Sequence, residues 1–300
     1  MRNTPARLAG WVVVLCLGLG LVCLPGRRVA AVATEAATPL ADTAWLAEHL
    51  STPHLRIVDL RTARDYQQAH IPQAVHLAPE ALVEAQHVTQ GRRLPPERFA
   101  ALMGSLGIDH ATTVVAYDDH GSLNAARLWW LLTSYGHAAV QVLNGGWGAW
   151  SREKRPVTTD VRQPERTTFT VREVPERLAT KAEVLQALGA PTTRLVDARS
   201  GMEYRGWQRY AARGGHIPGA VHVEWKQALQ PDGTFLPPEA LAALLRQAGV
   251  SPGQRVITYC QVGVRAAHMA FVLALLGYPD VAVYDGSWAE WGNDAQTPIE

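Results

Sequence analysis

The sequence predicts two α/β domains in tandem, each a doubly wound parallel sheet flanked by helices. Three observations support this prediction: the chain repeats itself, each copy alternates short apolar runs with longer helical patterns, and turn residues separate these segments. Such alternation is typical of parallel strands that are joined by crossover helices. We place the two copies at residues 38–155 and 178–300, with a linker at 156–177.

The repeat consists of matching blocks that recur in the same order, with an offset of about 140 residues. An Ile-Val-Asp-Leu-Arg block in the first copy matches Leu-Val-Asp-Ala-Arg in the second, and a His-Ile-Pro block occurs in both copies. An apolar run that ends in tyrosine and a Gly-x-Trp-x-x-Trp block complete the set. The paired segments are 57–61 and 195–199, 70–76 and 216–222, 114–117 and 256–259, and 144–150 and 285–291.

The second copy shows the α/β pattern most clearly. Short runs at 195–197, 256–259 and 281–284 predict buried strands, and apolar spacing predicts helices at 237–248 and 266–276. In such sheets, ligands bind beyond the carboxyl ends of the strands. Cys260 directly follows one of these predicted strand ends.

The amino-terminal segment has the pattern of a secretory signal peptide over residues 1–33. Arg2 and Arg7 precede an apolar run at 8–24, and small residues follow at 31–33. We therefore expect an exported, periplasmic protein. An uncleaved membrane anchor formed by residues 8–24 is the alternative, because Arg27 and Arg28 follow the run. The run is about 17 residues long, which is near the short limit for a membrane span.

Composition narrows the class of partner. Hydrophobic residues make up 47% of the 300-residue chain and charged residues 18%, which predicts a packed core. The net charge of +1 argues against nucleic acid or an acidic membrane as the main partner. The histidines lack the spacing of metal ligands, so we expect no metal. We also expect the protein to be a monomer.

Cys260 is the candidate nucleophile. The other cysteines, Cys16 and Cys23, lie within the signal segment. A strand end, a tight loop and a helix start place backbone N–H groups and the helix dipole around one point, which stabilises a thiolate. Gly263 permits the turn and Arg265 adds a cation. A buried, inert cysteine is the alternative interpretation.

These motifs resemble those of the rhodanese family, and in particular its tandem-domain thiosulfate sulfurtransferases. The resemblance rests on the Asp-x-Arg blocks, the His-Ile-Pro blocks, the Tyr-Asp-Gly-Ser-Trp motif at 284–288 and the Cys260 loop. It implies that Cys260 takes a sulfane sulfur from a small anionic donor, becomes a persulfide and passes the sulfur to cyanide or a thiol, without a cofactor. The implied substrate-binding residues are Gln261, Val262, Gly263, Val264, Arg265 and Arg199.

The donor and the reaction class leave alternatives. Mercaptopyruvate-using relatives carry small residues after the cysteine, so Gln261 and Val262 favour thiosulfate, although thiosulfate enzymes often have basic residues there. Related phosphatases and arsenate reductases have a Cys-x5-Arg loop, whereas Arg265 gives Cys-x4-Arg here. A non-catalytic sulfur-binding, anion-binding or sensing module is the alternative from another class.

The first copy has Asp118 where the second has Cys260, so we expect it to be non-catalytic. Its loop is also predicted to be one residue longer. Asp59 in the first copy and Asp197 in the second occupy matching positions. An acid in both copies favours a structural role, in which each acid pairs with a neighbouring arginine. The roles of Glu203, which stands where some relatives have a substrate-binding arginine, and of the aromatic insertion at 207–210 stay open.

Overall fold

A computed structural model describes Met1 and residues 38–85, 87, 89 and 91–300. The described residues from 38 onward belong to one compact unit. The predicted signal segment lies outside the described residues, apart from Met1. Within the described part, no helix is both long enough and apolar enough to cross a membrane.

The described part of the first domain contains five strands and five α-helices. Its strands are β1 (Leu40–Ala41), β2 (Leu55–Asp59), β3 (Val75–His76), β4 (Thr113–Tyr117) and β5 (Val140–Leu143). Its helices are α1 (Thr43–His49), α2 (Ala63–Gln68), α3 (Pro96–Ser105), α4 (Leu123–Ser134) and α5 (Gly146–Arg152), with a 3₁₀ turn at Pro79–Leu82.

The second domain repeats this order of elements. Its strands are β6 (Leu178–Ala179), β7 (Thr193–Asp197), β8 (Val221–His222), β9 (Arg255–Tyr259) and β10 (Val281–Tyr284). Its helices are α6 (Lys181–Ala187), α7 (Gly201–Tyr204), α8 (Pro238–Gln247), α9 (Val264–Leu275) and α10 (Ser287–Trp291), with 3₁₀ turns at Pro175–Arg177 and Trp225–Ala228.

The two sheets have the same topology. The strand orders are β1-β5-β4-β2-β3 and β6-β10-β9-β7-β8, and every pairing is parallel. Asp59 pairs with Tyr117 in the first sheet, as Asp197 pairs with Tyr259 in the second. The predicted fold class, two tandem parallel-sheet α/β domains, is therefore confirmed. The carboxyl ends of β7 and β9 meet at one edge, where Cys260 follows β9.

The two domains share a hydrophobic core. Helices α4 and α9 pack across the domain boundary, and Trp129 meets Phe271 edge to face with ring centroids 5.0 Å apart. One cluster of buried apolar side chains contains members of both sheets and both helices, including Cys260. Burial of this surface stabilises the domain pair by the hydrophobic effect and holds the end of β9 close to the first domain.

The segment at 156–177 runs along the first domain before it enters β6. Thr158 forms an antiparallel bridge with His70, Thr167 donates its N–H to Gly104 at 3.0 Å, and Val174 donates to Ser134 at 2.9 Å. These backbone hydrogen bonds fix the segment to the first domain, which sets the position from which the second domain starts.

Candidate active site

Cys260 lies in a short loop between the central strand β9 and helix α9. Strand β9 ends at Tyr259, and α9 begins at Val264, two residues earlier than the helix predicted from the sequence. Gly263 caps the helix with φ of +82°, in the left-handed region. A Cβ atom there would lie 2.7 Å from Asp285 Oδ1, so both the conformation and the space require glycine.

The backbone of Cys260 is held by the segment that follows β10. Its N–H donates to Ser287 Oγ at 3.1 Å, and its carbonyl accepts from Trp288 N at 2.9 Å. Ala289 N donates to the carbonyl of Gln261 at 2.9 Å. The Tyr-Asp-Gly-Ser-Trp motif therefore acts as a brace for the cysteine loop, a role for Ser287 that sequence reasoning missed.

The Cys260 side chain is fully buried, with 0% of its surface exposed. The sulfur atom thus lies inside its loop. A site of this kind admits a small ion more readily than a bulky reagent.

Arg265 forms a two-point ion pair with Glu203. Its Nη1 and Nη2 atoms lie 2.6 and 2.8 Å from the two carboxylate oxygens. Burial acts to lower the pKa of Arg265, but the hydrogen bonds and charge of Glu203, with the charge of Cys260, raise that pKa above its usual range. Both outer guanidinium nitrogens expected to face the substrate are therefore engaged by an acid 62 residues away.

Glu203 is itself fixed by the start of helix α7. It completes a capping box with Ser200, whose N–H and hydroxyl donate to Glu203 Oε2 at 3.1 and 2.9 Å. Burial acts to raise the pKa of Glu203, but Arg265 and Ser200 outweigh it and hold the pKa below its usual range. Glu203, whose role the sequence left open, is thus the partner that orients Arg265.

Arg199 forms its hydrogen bonds with Asp197 and Gly215. Its Nε and Nη2 atoms bind the carboxylate of Asp197 at 2.9 and 2.6 Å, and Nη2 also donates to the carbonyl of Gly215 at 2.8 Å. The first domain repeats this arrangement with Arg61 and Asp59. Because the copy without a cysteine has the same pair, the contact with Asp197 favours a structural role for Arg199. Its expected contact with the substrate stays a prediction.

The first domain shows what this type of loop binds. The carboxylate of Asp118 accepts N–H bonds from His120, Ser122, Asn124 and Ala125, at 2.7–3.0 Å. The loop backbone therefore converges on a single anion, which here is part of the chain. The loop is one residue longer than its counterpart, as predicted, because α4 begins after Ser122.

A cysteine in the same place brings no acceptor oxygens. The equivalent N–H groups of the second domain are therefore left for an incoming anion. Of the predicted site residues, Gln261, Val262, Gly263 and Val264 form this loop and the first turn of α9, with Arg265 directly after them. The loop thus holds five of the predicted residues together with Cys260.

The first domain also contributes to the site. Gly91 packs against Val262 so closely that a Cβ on Gly91 would lie 2.5 Å from Val262 Cβ. Arg127 of helix α4 forms a buried ion pair with Asp285 at 2.8 Å and donates to the carbonyl of Gly91 at 3.0 Å. Neither Arg127 nor this role of Asp285 is apparent from the sequence, because the contact crosses the domain boundary.

Metal chemistry receives no support from the described residues. Within residues 38–85, 87, 89 and 91–300, no group of three or more histidine, cysteine, aspartate or glutamate side chains could hold a metal ion.

The class defined by the fold and the site is a tandem α/β protein whose second domain places one cysteine in an anion-binding loop.

Comparison with known proteins identifies the family. A family model for the rhodanese-like domain matches residues 42–153 and 180–294. The thiosulfate sulfurtransferase of Azotobacter vinelandii is 38% identical over 86% of this chain and 96% of its own length. The sulfur carrier protein TtuD of Thermus thermophilus is 38% identical over 87% of this chain and 95% of its own.

Solved structures agree with these relatives. The crystal structure of SseA from Escherichia coli, described as a 3-mercaptopyruvate sulfotransferase, superposes with a TM-score of 0.77 at 31% identity. The match covers 84% of this chain and 99% of SseA. The chain therefore belongs to the rhodanese family, as a tandem-domain, rhodanese-like sulfurtransferase.

Proposed function

We propose that Cys260 carries sulfur from thiosulfate to cyanide or a thiol. In the first half-reaction, the Cys260 thiolate attacks the outer sulfur of thiosulfate. A bond forms between Sγ and that sulfur, the S–S bond of thiosulfate breaks, and sulfite leaves with the electron pair. The enzyme then holds a persulfide anion at the centre of the loop.

In the second half-reaction, an acceptor removes the outer sulfur. The carbon of cyanide, or the sulfur of a thiolate, attacks the outer sulfur of the persulfide. The bond to Sγ breaks, the thiolate of Cys260 is restored, and thiocyanate or an acceptor persulfide leaves. The sulfane sulfur itself carries the oxidising equivalent: Cys260 reaches the persulfide level as sulfite leaves and returns to the thiolate level as the acceptor takes the sulfur. The cycle therefore requires no redox cofactor.

The observation that carries this proposal is the contrast between Asp118 and Cys260. In one copy of the loop, four backbone N–H groups bind a carboxylate. In the other, the same position holds a sulfur that gains an anionic outer atom on becoming a persulfide. The burial of Cys260 further favours a small donor such as thiosulfate over a bulky one.

The test is the production of thiocyanate from thiosulfate and cyanide. We expect turnover by the wild-type protein and none by Cys260→Ser, which keeps the shape of the loop but removes the sulfur. Mass spectrometry after thiosulfate treatment alone should show one added sulfur atom on Cys260. If wild-type protein neither forms thiocyanate nor gains sulfur from any sulfane donor, a non-catalytic binding module is the better description.

Mercaptopyruvate is the second candidate donor, because of the likeness to SseA. Mercaptopyruvate-using relatives carry small residues after the cysteine, whereas this chain has Gln261 and Val262. We therefore expect a lower KM for thiosulfate than for mercaptopyruvate under identical conditions. The reverse order would make mercaptopyruvate the donor, and hydrolysis of an aryl phosphate would favour the phosphatase alternative.

We also propose that the protein is exported to the periplasm and acts as a monomer. The export part of this proposal rests on Arg2 and Arg7, the apolar run at 8–24 and the small residues at 31–33. Cell fractionation, with the intact mass of the purified protein, distinguishes a cleaved signal peptide from an anchor retained at 8–24. Light scattering should give the mass of one chain, and a larger mass would contradict the monomer.

A further inference from the structure

The catalytic copy carries an insertion that the first copy lacks. Asp59 and His70 are 11 positions apart, whereas Asp197 and His216 are 19 positions apart. The additional residues follow helix α7 and lie before the His-Ile-Pro block. The repeat thus provides an internal comparison: the extra segment accompanies the copy that has the cysteine.

The insertion is anchored to the rest of the domain by hydrogen bonds. Trp207 N donates to the carbonyl of Met202 at 2.9 Å, and Ala212 N donates to Asn293 Oδ1 at 2.8 Å. Arg213 binds the carboxyl-terminal segment, donating for example to the carbonyl of Thr297 at 2.8 Å. Gly206 packs directly on Gly214 and Gly215. These contacts give the segment a defined shape.

The insertion contacts the catalytic loop directly. Gln261, the residue after Cys260, donates from Nε2 to the carbonyl of Tyr210 at 3.1 Å. A molecule that lies on the insertion is therefore beside the loop that carries the sulfur. This place beside the loop favours a molecule that takes part in sulfur transfer over an unrelated ligand.

The exposed face of the insertion and of the adjoining helix α7 is apolar and basic. Trp207 is 68% exposed, Tyr210 60% and Met202 47%, and they are three of the seven large apolar side chains exposed among the described residues. The guanidinium of Arg205 lies over the Trp207 ring, 4.6 Å from its centroid, and Arg209 is exposed nearby in sequence. No aspartate or glutamate occurs between residues 204 and 223.

We propose that this aromatic basic surface, formed by Met202, Arg205, Trp207, Arg209 and Tyr210, docks an acidic polypeptide that carries the acceptor thiol. The proposal rests on the sulfur transfer proposed above and names the acceptor of the second half-reaction. Tryptophan, tyrosine, arginine and methionine are enriched at protein interfaces, and the excess of positive charge selects an acidic partner. A small thiol would require a concave pocket, whereas these side chains project into solvent.

Docking places the acceptor cysteine at the mouth of the loop. Its thiolate attacks the outer sulfur of the Cys260 persulfide and forms a new S–S bond. The bond to Cys260 Sγ breaks, and the electron pair stays on Cys260 as a thiolate. The polypeptide leaves as a persulfide, and no further reactant is consumed.

The experiment compares two peptide acceptors with the full-length chain. One peptide has a single cysteine flanked by glutamates, and the other has glutamines in their place. Mass spectrometry follows persulfide formation on each peptide after Cys260 is loaded from thiosulfate. The test variant is Trp207→Ala with Arg209→Gln. The matched control is Leu185→Ala with Arg246→Gln, an exposed apolar residue and an exposed arginine in the same domain.

We expect the wild type and the control to prefer the acidic peptide by about tenfold in kcat/KM. The test variant should lose this preference while its thiosulfate–cyanide activity stays within about twofold of wild type. Equal use of both peptides by the wild type would overturn the docking proposal, with sulfur transfer to cyanide intact. Equal losses with glutathione and with the acidic peptide would also overturn it, since a small thiol would then use the same surface.

A different result would identify a failure of the underlying function. If wild-type protein neither makes thiocyanate nor accepts sulfur on Cys260, both proposals fall together. The cyanide assay therefore separates the two proposals, because cyanide needs no docking surface.

Discussion

Arg127 of the first domain and Asp285 of the second form an ion pair of 2.8 Å, in which both side chains are at most 2% exposed. The pair lies beside the cysteine loop, since a Cβ on Gly263 would meet Asp285 Oδ1 at 2.7 Å and Arg127 Nη1 at 2.9 Å. Arg127 Nη1 and Asp285 Oδ1 are close but do not meet the angular geometry of a hydrogen bond, so charge dominates this contact. The first domain thus supports the Cys260 loop electrostatically.

Removal of this arginine should destabilise the domain pair. We expect Arg127→Met to lower the free energy of unfolding by about 3–5 kcal/mol, because it leaves the Asp285 carboxylate buried without its partner. Urea denaturation measures this change. The exposed pair of Arg152 and Asp232 provides the control, and Arg152→Gln should cost less than about 1 kcal/mol. Equal costs for the two variants would contradict the role of the buried pair.

The interdomain contact of His268 predicts a pH dependence of stability. Its Nε2 donates to the carbonyl of Gly121 at 3.0 Å, and burial lowers the pKa of His268 to about 4. Between this value and about 6.5, the unfolded chain binds a proton that the folded protein excludes. Stability should therefore fall as the pH falls through this window, by up to about 3 kcal/mol.

The measurement is urea denaturation of wild type and His268→Gln from pH 7.5 to pH 4.5. Glutamine can still donate to Gly121 but does not titrate. The difference in stability between the two proteins should shift in favour of the variant as the pH falls. A constant difference across the range would show that His268 does not take part in the titration.

Glu203 is expected to limit the affinity for anionic donors. In Glu203→Gln, Arg265 keeps its position through a neutral partner but gains unbalanced positive charge beside Cys260. The KM for thiosulfate should fall roughly three- to tenfold, with a smaller change for a neutral donor. Initial rates with both donors measure this effect. Glu239→Gln, at the exposed start of α8, should leave both KM values unchanged.

The same pair should contribute to stability at neutral pH. Because the pKa of Glu203 is lowered, its contribution is present above the unfolded value of about 4.3 and is lost as the pH falls through the folded value. Glu203→Gln should therefore be less stable than wild type at pH 7, and the difference should shrink below pH 4. A gap that stays constant in acid would contradict this pairing.

Asp118 should be important for the fold and not for sulfur transfer. Asp118→Asn replaces one acceptor oxygen with an NH₂ group that faces N–H donors, and it should cost about 1–3 kcal/mol of stability. Thermal unfolding and thiocyanate formation measure the two effects, and kcat at a permissive temperature should stay within about twofold of wild type. Asp119→Asn, one residue along in the exposed part of the loop, is the control. A large loss of kcat in a folded Asp118→Asn protein would contradict a purely structural first loop.

The sequence by itself determined the architecture and the chemical centre. Strands, helices and the cysteine loop depend on residues within a few positions of one another, such as the alternation of apolar runs with turn residues and the glycine before α9. The duplication predicted two sheets of the same topology, and the pairing of Asp197 with a nearby arginine followed from its presence in both copies. These features are local, so their physical causes can be read along the chain.

The tertiary structure decided which charges are available at that centre. Arg265 is paired with Glu203 across 62 residues, and Arg127 reaches Asp285 across the domain boundary. Neither partner is marked by spacing, because the partner of a buried charge depends on which elements the folded chain brings together. The exposure of Trp207 and Tyr210 was decided in the same way. An aromatic residue is buried or exposed according to the surface around it, and that surface exists only after the domains have folded.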